Sequence, residues 1–296
     1  MKRRRTNNDN SISNTGIIIG IDSFSSEIAI RFASYLSSRD LVSLALSCRK
    51  FGGSNKNIKS LSLSLVETTA RQIICNAKQD ERDNLPANRT YLEKYNELEK
   101  YRGPRVFDHL IGEDISYVDG NKSHVKCTDR SQFSMTGICN HVMRAGRHYA
   151  TFTVGTDRCM IGIVRPLPNW DEKGLESFDP HADTHHYSEL LREKTERWGV
   201  SNVHYCSLMG FGRKCWSSWK HSYTSDQWDG RDEASFKKGE IVGLLLDLDA
   251  GTLSVYKNGQ RACVMKDGLS GEYCWTVSMW NYGDSVRIEK GSTPTV

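Results

Sequence analysis

The chain predicts an α+β protein, a small helical amino-terminal lobe followed by an antiparallel β-sandwich. Before Gly103-Pro104, apolar residues recur at helical spacing in several segments. After Pro104 the apolar runs are short, rich in branched and aromatic residues, and punctuated by Gly, Pro, Asn and Asp, as sandwich strands are. Asn258-Gly259 lies between two such runs and suits the left-handed conformations of a type I′ hairpin turn, so the carboxy-terminal part reads as a tight meander.

Residues 1–15 carry almost no apolar side chains and predict a flexible basic tail. The run Lys2-Arg3-Arg4-Arg5 reads either as a nuclear address or as a solubilising end. The helical lobe occupies 16–102. Ser25-Ser26-Glu27 can cap a helix in which Ile28, Phe32, Tyr35 and Leu36 share one face. Asp40 opens a second helix with Leu41, Leu44, Ala45 and Cys48 on a face, ended by Gly52-Gly53. Ala70, Ile73, Ile74 and Ala77 predict a third over Glu67 to Asn84, and Tyr91, Leu92, Tyr95, Leu98 and Tyr101 a fourth up to Gly103-Pro104. The sandwich is placed at 103–291, with strands at Ile115 to Val118, His148 to Val154, Met160 to Val164 and through Ile241 to Ile288. An interval of about 165–228 breaks this rhythm. It holds three prolines, a charged helical stretch from Ser188 to Arg197, and Trp170, Trp198, Trp216 and Trp219, with Trp228 at its end, and it reads as a loop insertion at one end of the sheets.

Gly239-Glu240-Ile241-Val242-Gly243, then Asp247-Leu248-Asp249-Ala250-Gly251-Thr252-Leu253-Ser254-Val255-Tyr256-Lys257-Asn258-Gly259, then Gly283-Asp284-Ser285-Val286-Arg287-Ile288 resembles the strand-and-turn signature of SPRY domains. Gly146-Arg147-His148-Tyr149-Ala150-Thr151-Phe152 is similar to that family's Gly-x-x-Tyr-Trp-Glu-Val strand, with Ala150 and Thr151 departing from Trp-Glu. The resemblance spans about Gly103 to Gly291 and implies a concanavalin-type jelly roll that binds protein. Phe24 to Leu44 resembles the F-box, with a Glu-Ile, a Phe before Tyr35-Leu36, then Asp40-Leu41 and a spaced leucine; Cys48-Arg49-Lys50-Phe51 follows its Cys-Arg-x-Trp ending loosely. The leading Leu-Pro is replaced by Phe24-Ser25. That partial resemblance implies docking on the adaptor subunit of a cullin-type ubiquitin ligase through Ile28, Phe32, Leu36, Leu41 and Leu44.

Composition narrows the chemistry. A net charge of +4 with acids and bases intermixed gives no positive stripe of the kind nucleic acid requires. Nine scattered cysteines without a Cys-x-x-Cys pair read as reduced thiols, and the start lacks the apolar core of a secretory signal. Ile241 to Leu246, the longest uncharged apolar run, is too short to cross a bilayer. These features predict an intracellular protein, cytoplasmic or nuclear.

Asp247 and Asp249 fall on one side of a strand, as an acid/base pair would, yet Asp249 begins the Asp-Ala-Gly turn, where a carboxylate accepts backbone hydrogen bonds. His181, Asp183, His185 and His186, with Cys139, His141 or Cys206, match no compact zinc spacing. No nucleophile elbow or dinucleotide fingerprint is present. No catalytic residue, metal, cofactor or small-molecule substrate is therefore expected. Arg165, Trp170, Arg213, Lys214, Trp216, Trp219, Tyr223 and Trp228 supply the residue types that dominate protein interfaces and are the expected target-binding set, with about half of their kind serving instead as core anchors. The expected role is the substrate-recognition subunit of a ligase in protein ubiquitination. The alternatives are a stand-alone SPRY protein-binding module and, more remotely, a lectin or carbohydrate-active sandwich.

Overall fold

A computed structural model describes residues 25–47, 49–53, 63–128, 134–220, 224–226, 228–292 and 294. The expected tail at 1–15, together with Cys48 and Tyr223, lies outside the described residues. The chain divides into two compact units, Met1–Ile73 and Ile74–Val296.

In the first unit, helices α1 (Ser26–Ala33), α2 (Ser38–Ser47) and α3 (Arg49–Gly52) follow one another, and α4 (Leu65–Cys75) runs across the division. Ser25 caps α1, its Oγ accepting from the Ile28 N–H at 3.4 Å. Glu27 in the first turn and Arg31 in the last oppose the helix dipole favourably. Ser37 Oγ accepts from the Asp40 N–H at 3.1 Å at the start of α2. Gly52 is required where α3 meets α2, because a Cβ there would stand 2.2 Å from the Ala45 carbonyl oxygen.

The second unit begins with α5 (Gln79–Asp83) and α6 (Tyr91–Arg102). The single helix expected over 67–84 is broken, since Lys78 is extended with φ −61° and ψ 156° and restarts the chain as an N-cap. Glu81 explains the break: it accepts from the Lys78 N–H at 3.0 Å and takes both Nε and Nη2 of Arg102 at 2.7 Å. Arg102's hydrogen bond is the main reason its carboxyl is held down at about 2. Thr90 and Glu93 form a reciprocal capping box on α6. These two helices belong to the sheet-bearing unit, so the division falls after Ile73 and not at Gly103 as the sequence suggests. The reason is a set of polar ties. Arg144 bridges Glu97 and Glu272 at 2.8 Å each, Lys290 Nζ donates to the Tyr101 carbonyl at 2.7 Å, and the buried Arg105 donates to the carbonyls of Lys100, Tyr101 and Gly103.

Among the described residues, fourteen strands form two antiparallel sheets. One sheet runs β1 (Phe107–Ile111), β4 (Met135–Cys139), β13 (Cys274–Met279), β6 (Met160–Val164), β7 (Tyr205–Met209), β8 (Lys214–Ser217) and β9 (Thr224–Asp226). The other runs β12 (Gln260–Lys266), β11 (Thr252–Lys257), β10 (Ile241–Asp247), β5 (Arg147–Val154), β14 (Ser285–Lys290), β3 (Asn121–Cys127) and β2 (Ile115–Val118). The α+β class and the helices-then-sandwich order therefore hold. Asn258 and Gly259 have φ of 52° and 77°, the left-handed pair expected between β11 and β12.

The main core lies between the sheets, around Phe152, Leu244, Leu246, Val255, Trp275 and Ile288. The loop insertion expected at about 165–228 is loop only in part, since β7, β8 and β9 of the first sheet lie within it. A second core lies on the outer face of that sheet, where the stretch before β7 folds back over it with Trp170, Phe178, Leu190 and Trp198, joined by Trp219 after β8. This explains a difference between the sheets. Strands β4, β6 and β13 are buried at every residue, whereas β5 alternates buried and half-buried positions, having one face toward solvent. The helix expected from Ser188 to Arg197 is instead α7 (Tyr187–Leu190) followed by two 3-10 turns, because Lys194 is extended at ψ 125°.

Candidate functional site

The expected target-binding residues separate into two groups. Arg165, Trp170 and Trp219 are wholly or almost wholly buried and cannot form a surface. Trp170 packs on Phe178 at 5.0 Å between ring centres, and Trp219 Nε1 donates to the Pro180 carbonyl at 2.8 Å. Both are needed where they are, because a covered sheet face requires large rings to fill it. Arg165 Nη1 donates to the Ser270 and Glu272 carbonyls at 2.9 Å and Nη2 to the Ser201 carbonyl at 3.3 Å, while the guanidinium lies 4.0 Å from the centre of the Tyr273 ring. It pins the insertion to the loop before β13.

The other group stays together at the surface. Lys214, Trp216 and Trp228 are half-buried around the lateral opening between β8 and β12, whereas Arg213 is exposed and acts on His181 of the histidine-rich loop. The chain reaches this point through the turn Gly210-Phe211-Gly212. Gly212 has φ +70°, and a Cβ on it would stand 1.8 Å from the Arg231 carbonyl oxygen. Its own carbonyl accepts from Trp228 Nε1 at 2.8 Å, which fixes that ring. Gly230, ahead of α8 (Arg231–Ala234), is as constrained: a Cβ would meet the Trp228 ring at 2.6 Å and Cys263 Cβ at 2.8 Å. Lys214 Nζ lies 5.3 Å from the centre of the Trp228 ring, and Lys266 Nζ lies 5.2 Å from that of Trp216.

The result is a groove of about 570 Å³ with β12 residues 262–266 as one wall and Lys214, Trp228 and the 229–233 turn as the other. Asp229, Glu233 and Asp267 bring negative charge to its rim. Sequence reasoning did not find Val264, Lys266, Asp229, Glu233 or Asp267. Val264, Lys266 and Asp267 are far from the tryptophans in sequence and join them only where the two sheet ends align, whereas Asp229 and Glu233 directly follow Trp228 without any spacing that marks them. A second cavity of about 370 Å³, lined in part by Cys139, Pro168, Trp198 and Glu272, contains none of the expected binding residues.

Asp249 Oδ1 accepts from the Gly146 N–H at 3.2 Å, while the turn amides of Asp249 and Ala250 bond to Asp247 Oδ1 at 3.1 and 2.9 Å, so both carboxylates serve the backbone. No group of three or more His, Cys, Asp or Glu stands together to hold a metal ion among the described residues. In the histidine-rich loop, Asp179 Oδ1 accepts from the His181 N–H at 2.8 Å. Burial above all, with the nearby charge of Asp183 adding, pushes the Asp179 carboxyl up to about 7. The neutral acid is thus favoured in the fold, and its stabilising contribution is complete below the ordinary carboxylate range and lost as pH rises toward 7. Asp179→Asn keeps the acceptor without the charge. It is expected to raise stability by about 1–3 kcal/mol at pH 8 and to change little at pH 4, a contrast that chemical denaturation at the two pH values measures directly.

No protein-family model and no curated protein matches the chain. Among solved structures it is similar to the SPRY domain of human HERC1 at 12% identity, with a TM-score of 0.42 and coverage of 64% of this chain and 99% of that one. It is also similar to the TRIM65 PSpry domain at 16% identity (TM-score 0.39; 69% and 98% covered) and to a human SPRY domain at 13% (TM-score 0.35; 61% and 99% covered). No described helix is long and apolar enough to cross a membrane.

Proposed function

We propose that the chain is an intracellular, non-catalytic recruitment protein. Its α1–α2 pair docks on the adaptor subunit of a cullin-type ubiquitin ligase, and its sandwich holds a target protein in the groove between β8 and β12. The observation that carries the docking half is which residues α1 hides. Ala29 and Ala33 are buried, whereas Ile28, Phe32 and Tyr35 are 56%, 53% and 81% exposed, and Leu46 on α2 is 85% exposed. Large apolar side chains held in water on consecutive helices are a face awaiting cover, of the helix-in-groove kind. Leu36 and Leu44 are half-buried at its margin. Leu41 is fully buried and leaves the docking set.

The groove half rests on Lys214 and Trp228, which line a concave surface, with Trp216 packed against Lys266 beside them. The SPRY-like motifs of 239–288 agree with a protein-binding use. The docking half is tested by capture of the intact chain on the purified adaptor subunit. Wild type is expected to be retained and the double variant Ile28→Asp, Phe32→Asp to be lost with its helical signal unchanged, because both residues already face water. Failure of the wild type to bind, or equal retention of the variant, would leave a stand-alone protein-binding module.

A further inference from the structure

We infer that the groove takes its polypeptide as an added strand on the free edge of β12, and that this segment carries a carboxylate at one end and a basic side chain a few residues away. The inference rests on the groove reading above and specifies how the target is held. β12 pairs with β11 along Gln260 to Lys266, and its opposite edge makes no backbone hydrogen bond among the described residues. Among the described residues, the tie on that side is the Cys263 thiol to the Gly230 carbonyl at 3.8 Å. At the other end of the sandwich the β1 edge is partly capped, since Tyr117 Oη donates to the Phe107 carbonyl at 2.6 Å and Lys122 pairs with Asp108. A row of edge amides and carbonyls beside a groove suits an extended backbone, which supplies both donors and acceptors at the strand repeat. Seven residues of edge are about 23 Å, enough for a typical strand.

Charge fixes the side chains of the occupant. At the carboxy-terminal end of β12, Lys266 and Lys214 each stand against a tryptophan ring, and both act on Asp267. Toward the middle of the strand, Glu233 faces Cys263 and Asp229 lies beside it in the groove wall. An acidic residue opposite the lysines and a basic one opposite Glu233 satisfy both ends, some three residues or about 10 Å apart. Between them Val264, 45% exposed, offers an apolar contact.

The probe is a random phage-displayed peptide library panned on the intact chain, with the selected sequences then synthesised. The expected peptides are extended and dipolar in charge. Lys214→Glu with Lys266→Glu should weaken them at least about tenfold, and a peptide with its acid replaced by lysine should recover that loss. Backbone N-methylation at alternate residues should abolish binding while methylation of the intervening ones is tolerated, and β12 amides should gain protection from hydrogen exchange. Peptides that depend on Trp228 yet tolerate every N-methylation and leave β12 exchange unchanged would overturn strand addition and leave the groove reading intact. Selected peptides indifferent to both Trp228→Ala and the lysine reversal, or no selected peptide, would remove the groove itself. A concentration-dependent dimer of the chain alone with protected β12 amides would show that a second copy is the occupant and overturn the inference.

Discussion

Replacing Arg165 with methionine is expected to destabilise the sheet-bearing unit by about 3–5 kcal/mol, the largest effect of any single change considered. The guanidinium is fully buried and donates to three carbonyls, those of Ser201, Ser270 and Glu272, with Nε toward His204 Nδ1 at 3.4 Å. Burial pulls its pKa down to about 10, which still leaves it charged at neutral pH. Methionine fills much of the volume and none of the hydrogen bonds, so three buried carbonyls lose a charged donor at once. Arg165→Lys restores the charge without the planar fork and is expected to fall between the two. Urea unfolding followed by tryptophan fluorescence reports the change through Trp198 and Trp219, which sit in the same outer core. A loss below about 1 kcal/mol for the methionine variant would mean that the insertion is held by its rings alone.

That residue also shows where linear reasoning reaches its limit. The hairpin at Asn258-Gly259 was legible because a positive φ at two successive positions leaves few residue choices. The strand Met160 to Val164 was legible because its run of apolar residues ends at Arg165-Pro166. Arg165, Trp170 and Trp219 have interface composition, yet they are interior, since the insertion that looks like an end loop folds back over the first sheet. One signal in the sequence pointed to this. Met160 to Val164 has no polar alternation, as expected of a strand covered on both faces, so something had to cover the second face. Lys214, Trp216 and Trp228 have the same residue types and stay half-exposed because they stand at the lateral opening between β8 and β12. Nothing in local spacing separates the two groups. The same holds for the helical segment at 67–84, whose apolar period continues through Ala77 while Arg102, distant in sequence, takes Glu81 and stabilises the restart at Lys78.

The second large effect is acid lability. Among the described residues of the sheet-bearing unit, four imidazoles are buried: His148, His181 and His204 are held at about 3, 4 and 4, and His141 is pulled well below its ordinary value. Burial is the first cause in every case, with Arg105 acting on His141 and His148, Arg213 on His181, and Arg165 on His204. Each group has a folded pKa below its unfolded one, so its neutral form stabilises the fold above about pH 6.5, and that contribution is lost as pH falls toward the folded values. Asp179, raised to about 7, has the opposite slope over much of the same window. The net uptake on unfolding near pH 5.5 is roughly 2.5 protons, so stability should fall by on the order of 3 kcal/mol per pH unit there. His141 isolates one share of the slope. Both of its ring nitrogens are buried without a hydrogen-bond partner, and its ring packs 5.5 Å from that of His148 and 6.5 Å from that of Tyr101. His141→Phe keeps the ring volume and removes the titration, and is expected to flatten the slope by about one proton and to raise stability near pH 5.5 by about 1.4 kcal/mol. Urea midpoints across pH 5 to 8 measure both. A wild-type profile flat between pH 7.5 and 5.5 would mean that these imidazoles open to water, with the covering insertion and α6 lifting away before the sheets unfold.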